Sequence, residues 1–461
     1  MKFGGGLLTS GREVKNCARL VKERVDAGDQ VIVVVSALSG VTDRLIEAMD
    51  LVEGGNRGEM EKFSQEVHSI HVSALDACGT ANGDDITLLI DSLIGRLREY
   101  LESYRDGDRS PGKRDEIQSM GERLCAPIFS HYLTAEGVEA VSLTGGEAGI
   151  VTDSCFGNAI PEMDSCRRLV VESLGSLLGR GVTPVVTGFL AQNEEGEVTT
   201  LGRGGSDYTT SLIGACIGAD EIWIWKDVCG IMTANPKVVP GARTIPMLSY
   251  TEAAELAHFG ARVLHPRTME PAMGAMIPIR VRDATRPDLD GTLISQNSME
   301  IGGSVKAVTS IDRVGLISIS GTGMAGIPGV AARVFDSIAR GGANVMMISQ
   351  SSSETNITII VPKRDLEVCR DQLDMEFRDC GTVRKISLDE GVSVVSVVGS
   401  GMKGTPGVAA RVFRAVADAG VNVVMIAQGS SEVNISFVVG QADSVRAVTS
   451  IHREFRLDEL F

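Results

Sequence analysis

A lysine followed by glycines opens the chain, Lys2-Phe3-Gly4-Gly5-Gly6. At the end of a strand and ahead of a helix that begins near Ser10, such a turn lets backbone N–H groups approach phosphate oxygens, and the helix terminus adds partial positive charge. A lysine there can neutralise a phosphoryl group in transfer; a plain glycine turn with a solvated lysine accounts for the same residues. It is not a Walker A sequence. The second candidate is Leu201-Gly202-Arg203-Gly204-Gly205-Ser206-Asp207, between a strand-like 198–201 and a helical 208–217. Ser206 or Asp207 can N-cap that helix. Arg203 has no cap to make and no apolar surface to cover, and its planar, always-charged fork suits a carboxylate or phosphate.

Other polar groups are placed less decisively. Glu122, in Gly121-Glu122-Arg123, lies on a helix, where an exposed charged face explains it as well as a ligand does. Residues 36–42 bring Ser36, Ser39 and Thr42 to the end of the apolar run 31–35, the edge where open α/β sheets take ligands, though ordinary turns share that composition. Trp225-Lys226-Asp227 leads through Met232 to Asn235-Pro236-Lys237, a long loop after another strand. Segment 259–266 carries Arg262 and a lone His265, which reads as a capping or core residue rather than a ligand. Six histidines and nine cysteines form no metal cage, so no protein-bound metal is expected and any metal would be Mg²⁺ carried by a nucleotide.

The elements that must position these groups follow from periodicity. Over residues 1–300, apolar runs at 31–35, 182–186, 221–225 and 277–281 alternate with helical patterns at 13–27, 86–104 and 115–135. That alternation points to an α/β fold with a mostly parallel sheet covered on both faces. Residues 288–303, with Gly291, the pair Gly302-Gly303 and no helical period, read as a linker. Beyond it, the segment from Gly321 to Phe335 recurs from Gly399 to Phe413, and about 25 of 41 aligned positions are identical over 321–361 and 399–439. Each copy reads as strand, glycine turn, helix, two strands and helix. The second copy runs out before a final strand, which residues 304–311 can supply, interleaving the two.

Composition excludes other classes. Hydrophobic residues at 43% and charged residues at 23% rule out disorder. A formal charge of −16 argues against general binding to nucleic acid or anionic membrane, and no apolar run approaches a membrane span. An odd set of cysteines without CxxC spacing, together with the lack of a signal-like start, suggests the cytoplasm.

Taken in order, Lys2-Phe-Gly-Gly5, residues 36–42, Gly121-Glu-Arg123, Leu201 to Asp207, Trp225 to Pro236, Gly260 to Pro266 and the paired C-terminal repeats resemble the aspartate kinases, nearly over the entire chain. The resemblance implies an amino-acid-kinase (carbamate-kinase-like) sandwich at 1–300, followed by βαββαβ ferredoxin-like ACT domains at 304–388 and 389–461. It implies transfer of the γ-phosphoryl group of MgATP to the β-carboxylate of L-aspartate, the first step of lysine, threonine and methionine biosynthesis. Lys2 and Asp207 would be catalytic; Ser36, Thr42, Glu122, Arg203 and Ser206 would hold aspartate. Lys2, Gly4, Gly5, Lys226, Asp227, Met232, Lys237 and Arg262 would bind the nucleotide. An effector, threonine first because Gln350-Ser-Ser-Ser-Glu354 and Gln428-Gly-Ser-Ser-Glu432 look like threonine-sensitive members, would meet Met324, Ala325, Ile327, Asn344, Gln350, Met402, Thr405, Asn422 and Gln428. A homodimer or homotetramer through the ACT domains is the implied assembly.

The chain departs from the family at Gly6-Leu7-Leu8, where members read Thr-Ser-Val, so two hydroxyls expected near the phosphates are missing. Arg262 and Lys237 exchange the family's lysine and arginine, Met232 replaces a tyrosine and Asn235 an aspartate. The rival reading is a catalytically weak or inactive paralogue acting as an amino-acid-sensing regulatory subunit. A kinase for a different acid fits less well, since Arg203 and Glu122 suit a free α-amino acid.

Overall fold

Val33, Val34 and Val35 are all buried yet face opposite ways. Val33 and Val35 join an apolar cluster with Phe3, Val185 and Trp225, whereas Val34 joins Val186, Tyr208 and Leu212. Successive strand residues alternate in direction, so a strand apolar on both sides must be covered on both. The helices Gly11–Asp26 and Pro111–Ala135 cover one face, with Val41–Glu53, Arg57–Asp76 and Asp84–Arg105 extending that cluster. Helices Met163–Val170 and Gly205–Ile217 cover the other.

The computed structural model describes residues 1–53, 57–78, 84–260, 264–296, 304–378 and 381–460. It separates into one unit of Met1–Ile231, Pro246–Tyr250 and Val263–Asn297, and another of Met232–Ile245, Thr251–Arg262 and Ser298–Phe461. The first holds an eight-stranded sheet in the order Ala140–Leu143, Thr183–Thr187, Val33–Val35, Lys2–Phe3, Ile222–Lys226, Ile279–Asp283, Thr292–Ser295, Met247–Ser249. Every neighbouring pair is parallel except Ile279–Asp283 with Thr292–Ser295. The stretch 288–303, read as a linker, therefore contains a strand. Thr292 is fully buried there, and its hydroxyl accepts a hydrogen bond from the Ile231 amide at 2.8 Å. Residues 297–303 lie outside the described residues.

The second unit carries two four-stranded antiparallel sheets. The first repeat supplies Met347–Gln350, Asn356–Pro362, Val314–Ser320 and Lys385–Asp389, in that spatial order. In the other sheet Ala307–Ile311, which precedes the first repeat, pairs with Val392–Val398 of the second. Helices Val330–Arg340 and Leu366–Phe377 pack on one sheet, Val408–Asp418 and Ser444–Glu454 on the other. Two segments from earlier in the chain are built into this unit. Ala234, Val239 and Ala242 share a core with Val395 and Phe437. Glu252, fully buried, pairs with Lys306 at 2.9 Å and accepts the Ser400 amide at 2.7 Å.

Candidate active site

Strand alternation fixes where the first lysine goes. Phe3 turns into the cluster beneath Pro111–Ala135, so Lys2 points to the face covered by Gly205–Ile217. Lys2 lies opposite Ile224, and Lys226, two residues on, points the same way. Both reach Asp207 in the first turn of that helix: Lys2 Nζ is 2.5 Å from Oδ1, and Lys226 Nζ donates to Oδ2 at 3.0 Å. Lys2 and Asp207 are buried, at 5% and 7% exposure. Burial alone would raise the Asp207 carboxyl, but the two ammonium groups outweigh it and hold it below the ordinary range. Burial also pushes the Lys2 ammonium down, with Asp207 opposing. Two cations on one carboxylate leave a positive charge in excess at the carboxyl ends of the strands, where parallel sheets bind ligands.

The helix start differs from the sequence reading. Gly204, at φ +75°, is the N-cap, so Ser206 and Asp207 stand inside the first turn instead of capping it. A left-handed glycine lets the chain reverse sharply into the helix, which frees the Asp207 carboxylate for the lysines. Arg203 is exposed and immediately precedes this cap, at the same helix end as the Lys2–Asp207 pair.

Glu122 is buried rather than on an exposed face, at 3%. Burial pushes its carboxyl up to about 8, against the Ala37 amide and the charge of Lys2; its Oε2 has no hydrogen-bond partner. Ser36, at the end of Val33–Val35, and Thr42, in the first turn of Val41–Glu53, are half-buried, and the Ser36 amide bonds Phe3 O at 3.1 Å. Gly5 lies against Ala37 O. At the departing turn, Leu7 and Leu8 are buried in the core and only Gly6 is exposed. The loss of a hydroxyl at position 7 is therefore a gain in packing.

Residues 1–283 match the amino acid kinase family, and 317–377 and 395–455 each match the ACT domain. Aspartokinase 1, chloroplastic, of Arabidopsis thaliana is 32% identical over 468 residues, covering 99% of this chain and 79% of that protein. The chain belongs to the aspartokinase family. The bifunctional aspartokinase/homoserine dehydrogenase of Haemophilus influenzae is 32% identical over 461 residues, 98% of this chain but 56% of that protein. Thus the chain spans about half the length of the first curated relatives it matches. Escherichia coli aspartokinase III, solved with aspartate and ADP, superposes with a TM-score of 0.83 at 28% identity, covering 99% of each chain. Its structure with lysine and aspartate gives 0.82 at 28%, covering 98% of each.

Within this aspartokinase-family chain, the remaining expected residues are dispersed. Asp227 is exposed just past Lys226. Met232 and Lys237 belong to the second unit, Met232 packed on its core and Lys237 exposed. Arg262 lies outside the described residues. A cavity of about 350 Å³ in the first repeat is lined by Met324, Ile327, Gln350 and Glu354 among others; Asn344 and Ala325 are exposed and do not line it. Glu354 accepts the Gly326 amide at 2.8 Å, and Glu432 the Gly404 amide at 2.9 Å, so this repeated glutamate ties each glycine turn. Of the second-repeat candidates, Met402 is buried, while Thr405, Asn422 and Gln428 are exposed.

Two residues at the site's margin carried no sequence signal: Asp115, buried in the Pro111–Ala135 helix, and Arg267 beside Tyr208. Among the described residues, no group of three or more His, Cys, Asp or Glu could hold a metal, and the Asp207 carboxylate is already engaged by two lysines. No helix among them is long and apolar enough to cross a membrane.

Proposed function

We propose that this chain is an aspartate kinase, transferring the ATP γ-phosphoryl group to the β-carboxylate of L-aspartate. The observation that carries the reading is the cluster of buried Lys2 and Asp207 with half-buried Lys226 and its excess positive charge. A carboxylate with a pKa near 4 is already ionised at pH 7, so no general base is needed. The barrier is the approach of one anion to another, which cations and aligned N–H donors lower. Lys2 would neutralise the transferring group with the amides of Gly4 and Gly5, Asp207 would orient Lys2, and Lys226 and Asp227 would meet the nucleotide. Mg²⁺ would arrive on the phosphates of ATP itself. Arg203 would hold the α-carboxylate of aspartate, Glu122 its ammonium, and Ser36, Thr42 and Ser206 would add hydroxyl contacts. Nucleotide roles for Met232, Lys237 and Arg262 rest on the resemblance alone.

We also assign catalysis to residues 1–300, less the segments 232–245 and 251–262 that belong to the second unit, and effector binding to the two ACT domains, whose expected division at 304–388 and 389–461 shifts because 307–311 joins the sheet of the second. The cavity beside Met324, Ile327 and Gln350 supports a small amino acid as effector. Threonine is our assignment, although E. coli aspartokinase III was solved with lysine. Assembly would be a homodimer or homotetramer through these domains. Unpaired buried cysteines such as Cys17 and Cys125 favour a cytoplasmic setting.

Coupled ADP release with aspartate, glutamate and N-acetylglutamate tests the reaction. Turnover is expected with aspartate alone. No turnover with aspartate, alongside calorimetric binding of threonine or lysine, would replace this reading with the sensor one.

Glu122 gives the site a pH signature. With its carboxyl at about 8 it is mostly neutral at pH 7, and docking of the substrate ammonium would ionise it and release a proton. Aspartate affinity should therefore rise with pH by up to about tenfold per unit until near pH 8, then level off. Calorimetry across pH 6–9 checks this; Glu122→Gln should weaken binding and flatten the profile. Without ligand the sign reverses. The folded protein holds a proton that the unfolded chain, at 4.5, has lost, so this contribution to stability fades as pH rises from 4.5 through about 8.

A further inference from the structure

The turn that presents Arg203 is held from both sides by residues the chemistry above does not use. It leaves the strand Val198–Thr200 and enters Gly205–Ile217 with both Gly202 and Gly204 left-handed, at φ +74° and +75°. A Cβ on Gly202 would stand 2.8 Å from Asn158 Oδ1 and 3.1 Å from Gly157 O, so the turn rests directly on residues 157–159.

On one side is Asp115, 2% exposed. Its Oδ2 accepts the amides of Thr200 at 2.7 Å and Gly157 at 2.9 Å, and its Oδ1 accepts the Thr200 hydroxyl at 2.9 Å. The Ala159 amide then bonds Thr200 O at 2.9 Å. On the other side Arg267 donates to Asn158 Oδ1 at 2.5 Å, to Ala159 O at 3.1 Å and to Leu201 O at 3.5 Å. Its guanidinium lies 4.9 Å from the Tyr208 ring centroid. One carboxylate and one guanidinium thus lace 157–159 to 200–201 on either flank of the arginine turn.

Arg203 itself is exposed. A long side chain on a loose loop would lose much of its binding energy to ordering, whereas a fixed backbone spends less. We infer that Asp115 and Arg267 are positioning residues that fix the Arg203 turn and so set recognition of the substrate's α-carboxylate. This deepens the reading of Arg203 given above and rests on it.

The test is steady-state kinetics with aspartate and ATP varied separately in the full chain. Arg267→Gln is expected to raise the aspartate KM about tenfold, with kcat and the ATP KM within about twofold of the parent. Asp115→Ala should do the same or more. Asp115→Asn should restore near-parent values, because its amide oxygen can accept both backbone N–H groups and its NH2 can donate to Thr200. A merely structural role would lower the active fraction without splitting the two KM values. Should Asp115→Ala not fold, Arg267→Gln and a cycle with Arg203→Ala still decide. If Arg267 acts through Arg203, adding Arg267→Gln to Arg203→Ala should raise the aspartate KM no further. An unchanged aspartate KM in Arg267→Gln, or equal rises for both substrates, overturns the inference. An unchanged aspartate KM in Arg203→Ala would instead remove the reading of Arg203 beneath it.

Discussion

Lys2→Met is expected to lower kcat about 10³-fold while leaving aspartate binding nearly unchanged, since removing one preorganised donor to developing charge typically costs 10²–10³ and this one carries a full charge. The lysine is buried beside Gly4, on which an added Cβ would lie 3.3 Å from Nζ, and is locked to Asp207 at 2.5 Å. Its ammonium is thus desolvated and aimed before any substrate arrives. Methionine keeps most of the volume and deletes the charge together with its N–H donors. Asp207 then retains a single cation, Lys226, and the local excess of positive charge is gone. Lys2→Arg should not restore the rate, because a planar guanidinium is larger than the ammonium that lies against Gly4 and cannot mimic its compact charge. Steady-state ADP release gives kcat, and calorimetry gives the aspartate affinity. A Lys2→Met enzyme within tenfold of the parent kcat would show that phosphoryl-charge neutralisation lies elsewhere.

The sequence made this lysine visible because its neighbours obey strong local rules. Glycines follow it, an apolar run precedes Ser36, and charge inside Leu201 to Asp207 has no surface to cover. What it left hidden depended on side-chain direction and burial. That Lys226 shares Asp207 with Lys2 follows from strand register, which Lys2 opposite Ile224 fixes only once the strands are paired. Glu122 reads as an ordinary surface charge until it is seen to be buried, and only burial makes its carboxyl a switch near neutral pH. Asp115 and Arg267 have no motif at all: a lone acid on a helix is usually solvated, and its three hydrogen bonds come from residues far along the chain. Ser206 or Asp207 can cap the helix by residue type alone, whereas Gly204 takes that position by reaching φ +75°. The two repeats were legible from identity alone. The strand Thr292–Ser295 is invisible in the sequence because four residues after a lone glycine carry too little periodicity to register.

Arg203→Ala should raise the aspartate KM about 100-fold and leave the ATP KM within about twofold, a cost of roughly 3 kcal/mol. Two charge-assisted hydrogen bonds to a carboxylate can supply that much and more. The exposed side chain must be ordered to make them, however, so the sum of two such bonds is an upper bound. Arg203→Lys discriminates between charge and shape. If bidentate geometry matters, lysine should recover only part of the loss, leaving KM about tenfold above the parent. Selectivity follows from the same pairing. Arg203 and Glu122 are assigned to opposite charges on one carbon of the substrate, so a dicarboxylate without the ammonium would leave Glu122 unpaired and buried. Succinate should therefore be a poor substrate for the parent enzyme, and Glu122→Gln should narrow its disadvantage relative to aspartate. Competition kinetics with both acids measures this directly. If Arg203→Ala and Arg203→Lys both leave the aspartate KM within about twofold of the parent, the α-carboxylate is held by other groups, and the turn laced by Asp115 and Arg267 serves the fold alone.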